Sequence, residues 1–416
     1  MSGIRVNEWL HNSGTGGIWQ TSAGNVGIAS SVPTAKLVVT GDANISGIAT
    51  AETFIPTVGQ LSHRNLIING AFQVAQRGTS STSSGYYTVD RFRSSFSGTD
   101  ESPTYSQHAL TSSDTGPWEV GLRNSFHVQN GNQTSGWGAA DYINILMMLE
   151  GHDVATSGWN YTSTTSYVTL SYWVKSSVSQ AFYHGCSTND GTGYWYPWST
   201  GVLSADTWTK IVKVIPGNSN LQIDNNSGEG FRLTFGIPGY GTNWTGSGRA
   251  LETWATTSGD RSPDATSTWY TTNNATFEIT GVQLEVGSVA SPFEHRSYGD
   301  EFLRCARYYQ EQQGGSDVFM YAAKAQGTTS ADVGVGLVVP LRSSPTVVCS
   351  GHRLFHSDGV GYTSSSTTPT VVQWDANHSI HSHLIALNAG GHSGVSNNEC
   401  CTWALSSAAL TFDSEL

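Results

Sequence analysis

The sequence of 416 residues is poor in charge, and what charge it has is mostly negative. Only 12% of its residues are charged, with 19 Lys and Arg against 31 Asp and Glu, so the formal net charge is −12. Binding to nucleic acid draws on clustered Lys and Arg that contact phosphates. The acidic balance therefore excludes a dedicated nucleic-acid binder and argues against attraction to anionic membranes.

Cysteines and long apolar runs are also scarce. The longest apolar run, 145–149, is far shorter than the ~20 residues of a membrane-spanning helix, and the first ten residues lack the apolar core of a signal peptide. We therefore expect synthesis in the cytoplasm and no membrane insertion. Five cysteines are too few and too scattered for a disulfide framework, so all are expected to be free. They are Cys186, Cys305, Cys349, Cys400 and Cys401.

Aromatic residues and a period-two pattern are what the sequence does contain. Aromatic residues make up 11% of the chain, including 14 Trp, and apolar residues recur along its length, which excludes disorder. The segments 167–175, 208–215 and 230–237 alternate apolar and polar residues, and turn-rich stretches separate them. Many short strands at even spacing predict an all-β fold, with a jelly-roll-like β-sandwich over 61–297.

The first sixty residues have a different character. Residues 1–23 contain too few apolar residues for a core, so we expect this arm to dock on another protein. Its apolar anchors are Ile4, Val6, Trp9 and Trp19.

Residues 24–60 alternate β-branched pieces with glycine turns. The pieces 36–40, 43–45 and 48–50 are too short to offset their backbone entropy within one chain. Interleaving several identical chains solves this problem, and the pattern therefore predicts a trimeric β-stalk.

A helix is expected after the sandwich. Ser297 and Asp300 have the spacing of a capping box, and Phe302, Ala306 and Tyr309 recur at helical spacing. With a glycine pair at 314–315 as its end, this predicts a connecting helix within 298–315. The remaining residues, 316–416, are expected to form a separate distal β-domain.

Parts of the sequence resemble proteins of tailed bacteriophages. Residues 24–54 resemble the stalk repeat of marine and cyanobacterial phage structural proteins, with Ala29 in place of the usual third glycine. The motif R-N-L-I-I-N-G-A-F-Q-V-A-Q-R-G-T at 64–79 and the segment 277–310 resemble tail-fibre proteins. Residues 333–348 resemble the C-terminal segment of many phage fibres.

The resemblance implies a virion fibre. It implies a homotrimer that attaches through its N-terminal arm to another virion protein, in the tail, an adaptor or the baseplate. It also implies adhesion of the distal part to a host cell-surface polysaccharide. Two alternatives stay open: a purely structural capsid, collar or neck fibre without a receptor, and a tailspike polysaccharide hydrolase.

One aromatic run is a candidate glycan-binding surface. Aromatic rings stack on sugar rings, and nearby Asn and Asp side chains bond to sugar hydroxyls. The candidate residues are Tyr194, Trp195, Tyr196, Trp198, Asn189 and Asp190. The alternative is that alternate aromatics of this run fill the sandwich core. Exposed aromatics on loops would be the stronger indication of binding, and loop candidates are Trp244, Trp254, Trp269 and Tyr270.

Histidines are concentrated near the C-terminus, where His381 and His383 would face the same side of a strand. In a trimer with that strand near the axis, six imidazoles would converge and suit an octahedral transition-metal ion. The alternative is a solvated or core histidine face. No other cofactor is expected.

The carboxylates do not indicate an enzyme. A glycosidase needs two placed carboxylates, whereas Asp190, Asp224, Glu229 and Asp264 all lie in segments typical of turns. The long regular repeats of a depolymerase β-helix are also missing. We therefore expect a non-enzymatic protein.

Overall fold

The computed structural model describes residues 8–10, 17–39, 43, 62–257, 259–265, 268–312, 320–349, 351–357, 361–372, 384–406 and 409–416. Strands dominate these residues, and the predicted all-β fold is confirmed. The chain divides into two compact units, Met1–Thr57 and Val58–Leu416. Within the described residues, no helix combines the length and apolar character needed to cross a bilayer.

The first unit contains a small sheet. Its strands are β1 (Glu8–Leu10), β2 (Gly17–Gln20), β3 (Val26–Ile28) and β4 (Leu37–Val39). They lie in that order, and β3 pairs in parallel with β4. β4 falls within the predicted strand 36–40, whereas the strands predicted at 43–45 and 48–50 lie outside the described residues apart from Ala43. The trimeric stalk stays a prediction.

The second unit begins with a sandwich of two antiparallel sheets. Its strands are β5 (Ser80–Ser81), β6 (Phe92–Ser97), β7 (Thr104–Ala109), β8 (Asn124–Gln129), β9 (Tyr142–Glu150), β10 (Tyr167–Ser176), β11 (Ala181–Thr188), β12 (Tyr194–Val202), β13 (Thr209–Pro216), β14 (Glu229–Tyr240), β15 (Ala255–Thr256) and β16 (Thr276–Val286). One sheet has the order β13-β10-β16-β8-β7-β5 and the other the order β15-β12-β11-β14-β9-β6. Short helices α1 (Gly151–Ala155) and a 3₁₀ turn (Thr242–Trp244) lie between strands. The jelly-roll-like sandwich is confirmed.

Side-chain alternation explains where the sandwich core lies. In β10, Leu170 and Tyr172 are fully buried between the sheets, and Ile145 of β9 and Phe235 of β14 meet them from the other sheet. Successive side chains of a strand point to opposite faces. The intervening residues therefore face away from the core, and those of the second sheet build the site described below.

Helix α2 (Tyr298–Ala306) follows the sandwich and is shorter than predicted. Its start agrees with the sequence, because the Ser297 hydroxyl accepts a hydrogen bond from the Asp300 amide at 3.1 Å. The prediction that it continues to about residue 312 is wrong. The chain leaves the helix at Arg307 and forms a strand at 309–312, which pairs with the last strand of the chain. That long-range pairing satisfies backbone groups that a continued helix would have bonded locally.

The C-terminal part is a second β-structure with its own core. Its strands are β17 (Tyr309–Gln312), β18 (Met320–Ala325), β19 (Ala331–Gly336), β20 (Thr346–Cys349), β21 (His352–Phe355), β22 (Tyr362–Ser365), β23 (Thr370–Val371), β24 (Leu384–Ala389), β25 (Cys400–Leu405) and β26 (Leu410–Asp413). They form sheets in the orders β17-β26-β20 and β22-β21-β25-β18-β19-β24-β23. Leu354, Leu387 and Trp403 lie at the centre of the core.

A polar network joins this part to the sandwich. The fully buried Arg91 lies 3.3 Å above the Tyr308 ring and pairs with Glu415, next to the C-terminal residue. Arg307 binds both carboxylate oxygens of Glu150 at 2.8 and 2.9 Å. The separate domain predicted for 316–416 stays a prediction. All five cysteines are free, as predicted.

Candidate functional site

The outer face of the second sheet carries a row of side chains that register places side by side. Trp195 of β12 lies opposite Ser187 of β11, and Ser187 lies opposite Arg232 of β14. The row therefore brings an indole, a hydroxyl and a guanidinium together on one face. Each belongs to a strand whose alternate residues are buried in the core, so their positions are fixed by the sandwich itself.

The next row explains how the indole is accommodated. Gly185 of β11 lies opposite Thr234 of β14, which pairs with Leu146 of β9. A Cβ atom on Gly185 would lie 2.2 Å from Cζ2 of Trp195. Only glycine therefore lets the indole lie across the sheet at this point.

The third row supplies amide and hydroxyl groups. Asn144 of β9 lies opposite Ser95 of β6, and Tyr142 stands one step further along β9 on the same face. Asn144 is 8% exposed, and its side-chain oxygen has no hydrogen-bond partner within the described part of the chain. A buried unpaired acceptor costs about 1–3 kcal/mol. Because this oxygen has almost no accessible surface, a ligand hydroxyl would reach it only after a shift of a neighbouring side chain, and the hydrogen bond would then recover that free energy.

The loop after β14 closes one side of the site. Trp244 donates from its indole nitrogen to the Ala140 carbonyl at 3.0 Å, and its ring meets that of Tyr142 edge to face at 5.8 Å. The Arg261 carbonyl accepts a hydrogen bond from the Trp195 indole at 2.9 Å. These contacts hold the loop over the sheet and leave a cleft of about 200 Å³ between them.

The cleft combines the features of a site for a polyhydroxylated ligand. Tyr142 and Trp244 are half-buried and offer aromatic surface, while Asn144, Ser187 and Arg232 offer hydrogen-bonding groups. Of the described residues, no Asp or Glu lines it. Apolar surface with a few placed polar groups is the usual composition of a small-molecule site.

The predicted aromatic run divides between two environments. Tyr196 and Trp198 are 3% and 0% exposed in the sandwich core, and Trp198 donates to the Tyr172 hydroxyl at 3.0 Å. Tyr194 packs partly against the same core. The interpretation of the run as one glycan-binding platform is therefore wrong for Tyr196 and Trp198, because alternation turns them inward. Trp195 lines the cleft but is only 2% exposed, so it forms the floor.

The two polar candidates also differ. Asn189 lines the cleft, and its amide bonds to Glu229, which also accepts from Arg232 at 2.6 Å. The Asp190 carboxylate instead accepts from the Asp224 amide at 2.8 Å and braces a turn outside the cleft.

Most residues of the site were not predicted from the sequence, whereas Trp244 was, as an aromatic residue in a loop-like segment. Tyr142, Asn144 and Arg232 carry no motif in the sequence, and only strand register brings them together. Trp244 was a loop candidate, whereas Trp269 and Tyr270 are fully buried and Trp254 is 8% exposed.

Most of the residues predicted for arm docking and for metal binding lie outside the residues that the structure describes. Ile4, Val6, His381 and His383 lie outside the described residues. Trp9 belongs to β1, opposite Ile18 of β2, and Trp19 is half-buried in β2. Docking of the arm and the metal at His381 and His383 stay predictions.

Two other groups of residues are poorer candidates. Glu150, His152 and Asp153 bring three potential metal ligands within 4.8 Å, but Arg307 and Tyr308 already bind the Glu150 carboxylate. An open groove of about 800 Å³ runs beside α2 and contains no Trp, Tyr or Phe among its described lining residues. It therefore lacks, among its described lining residues, the large aromatic side chains that stack best on a sugar.

No family model and no curated protein matches the chain. Solved structures with a similar fold include the enzymatically active domain of tailspike protein 4 of bacteriophage CBA120, at 10% identity and a TM-score of 0.27, covering 54% of this chain and 21% of that one. The N-terminal cellulose-binding domain of Cellulomonas fimi β-1,4-glucanase C matches at 11% identity and a TM-score of 0.24, covering 52% and 99% of the two chains. A family 11 carbohydrate-binding module of Clostridium thermocellum matches at 12% identity and a TM-score of 0.24, covering 52% of this chain and 98% of that one. At this level of similarity the likeness concerns the fold alone.

Proposed function

We propose that this protein is a non-enzymatic bacteriophage tail fibre that binds a host surface glycan in the cleft on the outer face of its sandwich. The observation that carries the binding role is the cleft itself, where the unpaired Asn144 oxygen lies beside the Tyr142–Trp244 ring pair. Aromatic surface can stack on a sugar ring, and the buried amide can pair with a sugar hydroxyl. A hydroxyl that pairs with a buried polar group also gives strong discrimination between ligands.

The fibre role is supported by the sequence. The stalk-like segment 24–54 and the fibre-like segments 64–79 and 277–310 flank or form parts of the sandwich. A trimer would present three clefts per fibre, and several fibres on one particle would convert weak single-site binding into tight attachment. Residues 1–23 would join the fibre to another virion protein.

Trp244→Ala tests the glycan site directly. By analogy with base–aromatic stacking, loss of the ring should cost roughly 1–3 kcal/mol, which is a roughly 5–150-fold weaker single site. The measurement is binding of the full-length protein to a glycan array, with the thermal midpoint as a folding check. Tyr87→Ala is the matched control, because Tyr87 is 51% exposed and does not line the cleft.

The outcomes separate the alternatives. Weaker array binding by Trp244→Ala alone, at an unchanged thermal midpoint, supports the proposal. Absence of binding by the unaltered protein to any glycan would favour a structural capsid, collar or neck fibre. Release of reducing ends from a bound polysaccharide would favour the hydrolase, although the lack of a described carboxylate in the cleft supports binding without hydrolysis.

A further inference from the structure

The cleft has a charge opposite to that of the chain as a whole. The chain carries a net charge of −12, yet the described lining of the cleft includes Arg232 and Arg261 and no Asp or Glu. Arg93 of β6 lies on the same face, opposite Leu146 of β9. Three guanidinium groups therefore lie on this face of an acidic protein, one of them paired with Glu229, and such a group of cations can attract a charged ligand.

Arg232 retains hydrogen-bonding capacity although it has an acidic neighbour. Glu229 accepts from its Nη2 at 2.6 Å, while its Nε is buried without a hydrogen-bond partner among the described residues. The side chain is 34% exposed. The ion pair with Glu229 thus fixes one edge of the guanidinium and turns Arg232 into a positioned donor rather than a solvated charge.

Arg261 is held at the rim of the cleft by a different contact. Its guanidinium carbon lies 4.9 Å from the centre of the Trp195 ring, and its carbonyl accepts the Trp195 indole proton. Trp195 is itself packed on Gly185. A guanidinium fixed in this way matches the paired oxygens of a carboxylate or sulfate group, and such charge-assisted bonds are about twice as strong as neutral ones.

We infer that the cleft selects acidic glycans, with the carboxylate or sulfate group of a sugar bound at Arg232 and Arg261. This inference rests on the proposed glycan-binding function and adds the class of sugar. The net charge of −12 disfavours nonspecific binding of an acidic polymer, so binding depends on a local group of cations such as this one.

The test uses the full-length protein on a panel of polysaccharides in paired forms. Alginate and polygalacturonate are compared with their carboxyl-reduced forms, and chondroitin sulfate is compared with desulfated chondroitin; neutral glucans and mannans complete the panel. The variants are Arg232→Gln and Arg261→Gln. Lys210→Gln is the control, because Lys210 is exposed on the other sheet and its loss changes the net charge equally.

We expect binding to at least one acidic polymer, with at least about tenfold loss on its neutralisation or on either arginine substitution, and no loss with Lys210→Gln. Loss on carboxyl reduction identifies a uronate ligand, and loss on desulfation identifies a sulfate ester. Equal binding to charged and neutral forms would overturn this inference and leave the proposed function intact. Binding to no member of the panel would contradict the proposed function as well.

Discussion

Gly185 illustrates how one residue decides the shape of the cleft. Its missing side chain is what lets the Trp195 indole lie across β11, since a Cβ would lie 2.2 Å from that ring. Gly185→Ala should force Trp195 from its position and lower the free energy of unfolding by about 1–3 kcal/mol, the usual cost of overpacking.

Chemical unfolding measures this effect, and glycan binding should weaken in parallel because the floor of the cleft moves. Gly136→Ala is the control, because Gly136 is exposed and a Cβ there meets no atom within 4 Å. Equal stability of the two variants would show that Trp195 does not depend on this close approach.

Buried histidines predict sensitivity to acid. Burial lowers the pKa of His184 to about 3 and that of His392 to about 4, and it also lowers the pKa of His352, which lies 3.1 Å from His392. Because the unfolded chain binds protons at a higher pH than the folded one, this contribution is fully present above about pH 6.5 and is lost as the pH falls towards the folded pKa values. At pH 5, His184 and His392 should each lower the free energy of unfolding by about 2 kcal/mol relative to neutral pH.

The measurement is the free energy of unfolding at pH 7.5 and pH 5. His392→Asn should remove part of the difference, whereas His63→Asn, at an exposed position, should leave it unchanged. Asp90 acts in the opposite direction, because burial raises its pKa to about 6. A pH dependence unaffected by His392→Asn would assign the acid sensitivity to other groups.

At the residue scale, the types of residue were easier to predict from the sequence than the face of the sheet on which each side chain lies. The run 194–198 was recognisable as strand-forming and aromatic, but the alternation pattern alone does not say which of its faces meets the core. Trp198 faces inward, where it contacts Tyr172 of the facing sheet and His184 of the neighbouring strand. Asn144 and Arg232 could not be predicted as site residues, because their place in the cleft depends on strands that are far away in the chain.

Among the elements, the C-terminal tail is the one that secures the two halves of the second unit. Glu415 pairs with the fully buried Arg91 and also lies 3.3 Å from Arg77. Removing one partner of a buried pair leaves the other charge uncompensated.

Glu415→Gln should therefore lower the free energy of unfolding by about 3–5 kcal/mol. The control is Glu252→Gln, which removes the exposed carboxylate of an ion pair with Lys213 and should cost at most about 1 kcal/mol. Urea unfolding distinguishes the two. Similar losses in both variants would mean that the tail adds no more than a surface contact.

Elements were predictable where the determinants are local. The period-two segments and the Ser297 cap appear as strands and as the start of α2. The end of α2 was wrong because β17 is formed by pairing with β26, about a hundred residues later. Long-range pairing of this kind leaves no trace in a local pattern.

At the scale of the whole molecule, we predict a homotrimer. Short strands in the first unit leave Val32 and Leu37 76% and 61% exposed within one chain, and partner chains would cover such apolar surface. Light scattering should give about three times the chain mass of 44.4 kDa. A monomer that keeps a folded stalk would contradict this prediction.

The arm and the stalk should have separate functions, the arm attaching the protein to the virion and the stalk holding the trimer together. Deleting residues 2–23 should leave a trimer that is missing from purified particles, because the anchors Trp9 and Trp19 are lost. Quantifying the protein in purified virions measures this. Normal incorporation of the shortened protein would show that attachment to the virion lies elsewhere.

The central claim is that the cleft on the outer face of the second sheet holds a sugar. The most direct measurement is a crystal structure of the full-length protein grown with the oligosaccharide that binds best on the array. We predict a sugar ring in contact with Trp244 and a sugar hydroxyl within hydrogen-bonding distance of the Asn144 side-chain oxygen. An oligosaccharide bound at any other surface, with this cleft holding only water, would contradict the account.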